Sequence, residues 1–309
     1  MLKVAKRVVY RAFGLSIVSE IPLPELPQIE DEIDEIDLEI RIEDLSTLWN
    51  SITDKQNNLI INDKFVMFRV PEAATFSIHE GKKIIVSPTE EYDEDLVRLY
   101  ILGSCMGVTL MQRKIYPLHG SAIAINGKAY AIVGDSGAGK STLASAFLNR
   151  GYQLISDDVI AVSFPNDHGL PFVTPAYPQQ KLWQESLIEF GVETSQFRSI
   201  HGRETKFCVP VSSQFYSDSL PLAGIFELTK TDNDHIKICK VKGLQRLNTL
   251  YTHTYRNFLI PNLDIVDWHF NTSARILESV DLFKLSRPMT GFSAPDLVSI
   301  ILNVTNKGE

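Results

Sequence analysis

Apolar and polar positions alternate in the first third of the chain as they do in half-buried strands. Ile36, Leu38, Ile40 and Ile42 are separated by charged residues, a period of two that predicts one wet face and one packed face. Residues 59–61 and 65–70 flank Asn62-Asp63-Lys64, and residues 75–78 and 84–86 flank Gly81, so both pairs predict hairpins. A helix is predicted from Asp93 to about Met111, with Gly103 and Gly107 on a closely packed face. From Leu118 onward the pattern becomes strand, glycine loop, helix, strand. Further helices are predicted over 181–190, 244–251 and 294–304, and strands over 222–228, 236–239 and 282–285. The change of pattern sets an expected boundary: a β-rich N-terminal domain with a connecting helix over 1–112, then an α/β domain over 113–309.

Composition narrows the function classes. Apolar residues make up 44% and charged residues 22%, enough to pack a core. Thirty Lys+Arg against 38 Asp+Glu leave a net charge of -8, and an acidic surface repels phosphate backbones, so no nucleic-acid partner is expected. The acidic stretch 30–37 carries interleaved isoleucines and reads as a solvated loop and strand face. The uncharged helical window 99–112 is short of the roughly 20 apolar residues that span a bilayer, so no membrane partner is expected. Lys3, Lys6 and Arg7 open the chain, but Arg11 interrupts the apolar run of a secretory leader, and a cytoplasmic location is expected. Cys105, Cys208 and Cys239 lie far apart with no CxxC or nearby CxxH, which excludes a zinc ribbon, and their odd count argues against a disulfide framework. They read as buried small hydrophobes.

The strongest chemical signal is Gly134-Asp135-Ser136-Gly137-Ala138-Gly139-Lys140-Ser141, which matches G-x-x-x-x-G-K-[ST] between an apolar strand (129–133) and a helical run that begins near Thr142. Glycines let backbone N–H groups turn inward around phosphate oxygens, and the following helix adds its positive dipole end. Lys140 would reach the β- and γ-phosphates and Ser141 would hold Mg²⁺, with residues 134–142, through Thr142, as the cofactor-binding run, so ATP and Mg²⁺ are the expected cofactors, with GTP not distinguished from ATP.

The flanks sharpen this. Asn126-Gly127 is a two-residue hairpin signal; if Ile125 pairs with Lys128, His119 faces Gly134. On the other side, a helix from Lys140 to Arg150 advances about 15 Å. Gly151 ends it, and a return strand over 152–156 covers about the same distance. Asp157 and Asp158 then come level with the loop. One carboxylate can serve the metal while the other takes a proton from an incoming hydroxyl; the structural alternative is a solvated Asp-Asp turn.

From His119-Gly120 through the glycine loop and Arg150-Gly151-Tyr152 to Asp157-Asp158, the sequence resembles the C-terminal kinase domain of HPr kinase/phosphorylase. The fold this implies is α/β: a P-loop kinase domain of the HPr kinase/phosphoenolpyruvate carboxykinase type, with a smaller β-rich N-terminal domain. That family phosphorylates a serine on a partner protein. The resemblance implies that Lys140 and Ser141 hold the phosphates and Mg²⁺, that Asp158 is the base with Asp157 its metal-side neighbour, and that His119 is the active-site histidine. The family's later Glu-Ile-Arg-Gly stretch, associated with metal binding and the reverse reaction, has no counterpart, so neither phosphorolysis nor the family's hexamer is implied. Its place is taken by Pro175-Ala176-Tyr177-Pro178, Lys181-Leu182-Trp183 and Arg203-Glu204-Thr205-Lys206. With Tyr10-Arg11-Ala12-Phe13-Gly14-Leu15 and Ile21-Pro22-Leu23-Pro24-Glu25-Leu26, these segments are more similar to the HPr-kinase-like enzymes of lasso-peptide gene clusters. Those kinases phosphorylate the C-terminal serine of a precursor peptide.

The expected activity is Mg-ATP-dependent serine phosphorylation of a peptide or protein partner, with a homo-oligomer left open. Lys181, Arg203 and Lys206 are candidate cations for an anionic substrate group, weighed against ordinary surface charges. Trp183 reads as core, on the apolar side of the predicted 181–190 helix. The rival readings are an HPr-type kinase acting on a folded carrier and an ATP- or GTP-binding switch without an acceptor.

Overall fold

The computed structural model describes residues 8–29, 35–52, 58–62, 65–166, 169–200 and 203–306. Lys3, Lys6, Arg7, Asp63, Lys64 and positions 30–34 of the acidic stretch lie outside the described residues. The chain divides into two compact units, Met1–Ile115 with Phe258–Ile265, and Tyr116–Asn257 with Val266–Glu309.

Tight turns build the first unit. Phe13 and Gly14, both at positive φ, join β1 (Val9–Ala12) to β2 (Leu15–Ser19), a hairpin that apolar periodicity did not announce. β3 (Gln28–Ile29) and β4 (Leu38–Ile42) follow, and in β4 Leu38 and Ile40 are buried as the alternation predicts, whereas Ile42 at the strand's end is exposed. Helix α1 (Ser46–Ile52), also unanticipated, precedes β5 (Leu59–Ile61), β6 (Phe65–Val70), β7 (Ala74–His79) and β8 (Lys83–Pro88). Both predicted hairpins form, β5 with β6 and β7 with β8, in an eight-stranded sheet ordered β3-β1-β2-β4-β8-β7-β6-β5. Asp93 caps α2 (Glu94–Tyr100) by accepting from the N–H groups of Asp95 and Leu96. A π-helical turn over Ile101–Cys105 then leads into α3 (Met106–Gln112), which completes the predicted connecting helix.

The second unit opens with β9 (Tyr116–Ile125) and β10 (Lys128–Val133), then α4 (Lys140–Leu148) and β11 (Gln153–Ser163). β12 (Phe172–Thr174), β13 (Gln179–Trp183), α5 (Gln184–Glu189), β14 (Arg198–Ile200) and β15 (Arg203–Pro210) come next. β16 (Leu220–Thr231), β17 (Lys237–Lys240) and α6 (Gln245–Thr252) precede the return to the first unit, which holds α7 (Leu259–Asn262). The chain finishes with α8 (Val266–Ser279), β18 (Asp281–Pro288) and α9 (Ala294–Thr305). The main sheet runs β10-β9-β11-β12-β16-β18-β17, and because β16 also pairs in parallel with β10, five of its strands close into a ring. One apolar cluster joins this ring to α6 and α8; another packs β9, β10 and β16 against α4 and α9.

Three expectations need correction. Residues 179–183 form β13, not the start of a helix, because Lys181 and Trp183 pair with Cys208 and Lys206 on β15. Trp183 is accordingly not core: it stands at the strand's end, 36% exposed. Of the cysteines only Cys105 is buried, while Cys208 is half-buried and Cys239 exposed. Among the described residues no helix is long and apolar enough to cross a membrane.

Candidate active site

β9 sits between β10 and β11, and this is what assembles the site. Its register places Val133, the last residue before the glycine loop, opposite Gly120 on one side. On the other side Asp158 stands opposite Gly120, Asp157 opposite Ser121 and Val159 opposite His119. Strand pairing alone therefore brings His119, Ser121, the loop and both aspartates to one end of the sheet. Two glycines permit the close approach. A Cβ at Gly120 would lie 2.1 Å from the Ile132 carbonyl oxygen, and one at Gly134, whose φ is +148°, would lie 2.4 Å from that of Leu228.

Gly139, at φ +105°, turns the loop into α4, and no side chain caps the helix. Its first N–H groups lack intrahelical partners, which makes this a natural anion-binding end. Lys140 is buried with its Nζ donating to the carbonyls of Gly134 (2.8 Å) and Asp135 (3.0 Å). Burial pulls its pKa below the ordinary lysine value, while Asp157 and Asp158 oppose that shift. Asp135, Ser136 and Gly137 line the exposed rim, and Ala138 is buried behind it.

The aspartates are not a solvated turn. β11 runs through them to Ser163, further than the expected return strand, and Asp157 is buried. Its Oδ1 accepts from Ser121 Oγ (2.5 Å) and Ser141 Oγ (3.0 Å), and its Oδ2 from the Lys181 N–H (2.9 Å). Consecutive residues of a regular strand point to opposite faces. Asp158 departs from that rule with a φ of +73°, and both carboxylates reach the same neighbour: Lys181 Nζ donates to Asp158 Oδ2 at 2.7 Å. Burial pushes the Asp158 pKa up, but Lys181 and His119 outweigh it and hold this carboxyl well below its usual range. Lys181 is raised in turn, the Asp158 charge overcoming its own burial.

His119 Nδ1 lies 3.0 Å from the Asp158 carbonyl oxygen and 3.6 Å from Oδ1. A carbonyl only accepts, so Nδ1 carries the proton and Nε2 holds the lone pair of the neutral ring. Burial lowers the pKa of His119, which keeps the ring neutral near pH 7. Its backbone N–H donates to the His253 carbonyl (2.7 Å), and His253 Nε2 is 3.1 Å from Glu227 Oε1. Tyr255 stands beside the His119 ring with centroids 5.7 Å apart, and burial pushes its phenol up to about 12.

The remaining sequence candidates divide. Thr142 turns its hydroxyl to Ser186 Oγ (2.8 Å), tying α4 to α5. Lys181 is not a surface cation, since Asp158 engages its ammonium inside the chain. Lys206 is half-buried on β15 with its Nζ 5.4 Å from the Trp183 ring, and its charge depresses both Lys140 and Asp158. The backbone of Arg203 begins β15, but its side chain lies outside the described residues. Sequence reasoning missed Ser121, Tyr255 and Arg287. Only Ser121 carried a signal, two residues after His119 and so on its strand face.

A Mg²⁺ ion fits the oxygens present. Ser141 Oγ and Asp157 Oδ1 lie 3.0 Å apart, and magnesium is commonly held by one or two protein oxygens together with substrate phosphates. Among the described residues no three His, Cys, Asp or Glu side chains converge as a metal cage.

Comparison with known proteins places similarity on this segment. Residues 111–177 match the family model described as HPr Serine kinase C-terminal domain. The HPr kinase/phosphorylase of Mycoplasmopsis pulmonis (strain UAB CTIP) is 39% identical over 107 residues, 33% of this chain and 31% of its own length. That of Lactobacillus johnsonii (strain CNCM I-12250 / La1 / NCC 533) is 29% identical over 114 residues, 33% of this chain and 35% of its own. The chain thus spans about a third of the length of these relatives. A solved structure of the Hpr(Ser) kinase/phosphatase from Coxiella burnetii aligns with a TM-score of 0.32 and 14% identity, over 62% of this chain and 97% of that one.

Proposed function

We propose, starting from the kinase-domain match over residues 111–177, that this chain transfers the γ-phosphate of Mg-bound ATP to a serine hydroxyl, and that the acceptor is the C-terminal serine of a lasso-peptide precursor. The observation that carries the reading is the left-handed turn at Asp158, which brings two carboxylates together beside a phosphate loop and lets them take different partners. A hydrolytic switch needs one acidic group near its metal; a transferase also needs one that faces an incoming hydroxyl.

Ser141 and Asp157 would hold Mg²⁺, which supplies charge neutralisation on the phosphates when bound. Lys140 neutralises charge on the transferring group, and the N–H groups at the start of α4 orient it. Asp158 accepts the hydroxyl hydrogen bond. Held ionised by Lys181, it is a weak base toward a resting alcohol, so its first role is to aim the oxygen. The serine Oγ–phosphorus bond forms, the bond to the β,γ-bridging oxygen breaks, and the proton passes to Asp158 as the hydroxyl becomes acidic. His119, anchored through Nδ1, leaves Nε2 to meet phosphate or hydroxyl.

Support for a terminal serine comes from Lys206. It pairs with Trp183, two residues past Lys181 on β13, and its Nζ lies 5.4 Å from the Trp183 ring, so it is the cation we assign to a carboxylate on the acceptor serine. Radiolabelled transfer to a peptide ending in Ser, to its C-terminal amide and to its Ser→Ala version tests this. The acid should outpace the amide about tenfold or more, as a charge-assisted contact predicts, and the Ala version should stay unlabelled. Equal rates for acid and amide remove the carboxylate contact. Labelling of a folded carrier protein in place of every peptide would overturn the peptide acceptor.

A further inference from the structure

Arg287 comes from the far end of the sequence yet reaches the phosphate loop. β16 lies between β10 and β18, parallel to both, and its Glu227 is level with Val133 on β10 and with Lys284 on β18. Arg287 is therefore three residues past the level at which β10 gives way to the loop. Its guanidinium is fixed by two backbone oxygens, with Nε donating to the Ala138 carbonyl (2.9 Å) and Nη1 to that of Pro288 (3.0 Å). Nη2 and Nε lie 3.4 and 3.6 Å from the position a Gly139 Cβ would take, so the guanidinium packs in van der Waals contact against the loop at Gly139.

A cation beside the N-terminus of a helix is disfavoured by the helix dipole and adds nothing to the capping of α4. It does, however, set the orientation of one peptide. The peptide unit is planar and trans, so the Ala138 C=O and the Gly139 N–H point in opposite directions. Holding the carbonyl on Arg287 turns the Gly139 N–H away from it. We propose that Arg287 is a positioning residue of the phosphate site: it locks the Ala138–Gly139 peptide with its N–H toward bound phosphate, and leaves a cation at the loop's outer edge. Arg287 touches neither acceptor nor reacting atoms, and the inference rests on the nucleotide reading of the loop given above.

Calorimetric titration of the full chain with AMP, ADP and ATP in the presence of Mg²⁺ tests it, using Arg287→Ala, Arg287→Gln and Arg287→Lys, with ligand-free melting measured for each. Arg287→Ala should weaken ADP and ATP about tenfold or more while leaving AMP and the ligand-free Tm unchanged. Gln and Lys, each able to donate to the Ala138 carbonyl, should recover part of that loss, and KM for ATP should rise more than kcat falls. Unchanged ADP affinity in all three variants overturns the proposal. So does an equal loss for AMP, ADP and ATP, or a loss that tracks a fall in ligand-free Tm, since either makes Arg287 a packing residue. Lys140→Ala separates the two levels: if it too leaves ADP affinity intact, the nucleotide reading has failed rather than the role of Arg287.

Discussion

Asp158 occupies a backbone conformation that non-glycine residues seldom adopt, at a cost of order 1 kcal/mol or more. The surrounding contacts compensate: Lys181 binds its carboxylate and His119 its carbonyl. Asp157, one residue earlier, spends its oxygens on Ser121, Ser141 and the Lys181 N–H. This division predicts different failures. Asp158→Asn keeps the shape but cannot take the hydroxyl proton, so transfer should fall by about 10²-fold or more with Mg-ATP affinity nearly intact. Asp157→Asn puts an amide among three donors and weakens the metal side, so the Mg²⁺ concentration for half-maximal rate should rise. Rates measured across a Mg²⁺ titration distinguish the two. Reversed phenotypes would exchange the roles, and less than a few-fold slowing by either would remove the base.

At the scale of elements, β9, β10, α4 and β11 were legible because their signals are local: a two-residue turn, a glycine loop, a helix and its return. The 125–128 pairing followed from turn length alone. The turn at Asp158 was not legible, since Lys181, the partner of its carboxylate, lies on another strand. β13 was misread because its burial comes from β15 rather than from any helical period. α8 was missed because its buried residues include His269 and Ser273, which periodicity counts as polar. That helix makes a pH prediction. His269 Nε2 lies 2.8 Å from Thr254 Oγ1, its ring stacks on Tyr116 with centroids 4.7 Å apart, and burial pushes its pKa from 6.5 down to about 4. Between those values the unfolded chain takes up a proton that the folded chain refuses. The stability contributed by a neutral His269 is thus complete above pH 6.5 and lost as pH falls toward 4, by up to about 3 kcal/mol. Urea unfolding at pH 7 and pH 5 should show this loss, and His269→Asn should lack that part of it. An identical pH slope in both proteins would refute the assignment.

For the molecule as a whole, the net charge of -8 gives no hint of the site, where Lys140, Lys181, Lys206 and Arg287 gather. Sequence patterning suggested a division near residue 112 but could not foresee that residues 258–265 group with the first unit, since spatial membership leaves no periodic trace. Every site residue lies within Tyr116–Asn257 or Val266–Glu309, so nucleotide binding should stabilise that unit specifically. A ligand at one hundred times its Kd adds about 2.7 kcal/mol to whatever it binds, which slows exchange through full unfolding of that unit about a hundredfold. Hydrogen exchange with and without saturating Mg-ATP should therefore show such slowing in the central amides of β9, β10 and β16. The amides of β6, β7 and β8 in the first unit should keep their rates. Lys140→Ala should cancel the effect by removing the loop's buried cation, with ligand-free rates unchanged. Equal slowing in both units would show that the chain unfolds as one cooperative body, and slowing confined to β6–β8 would place nucleotide binding away from the glycine loop altogether.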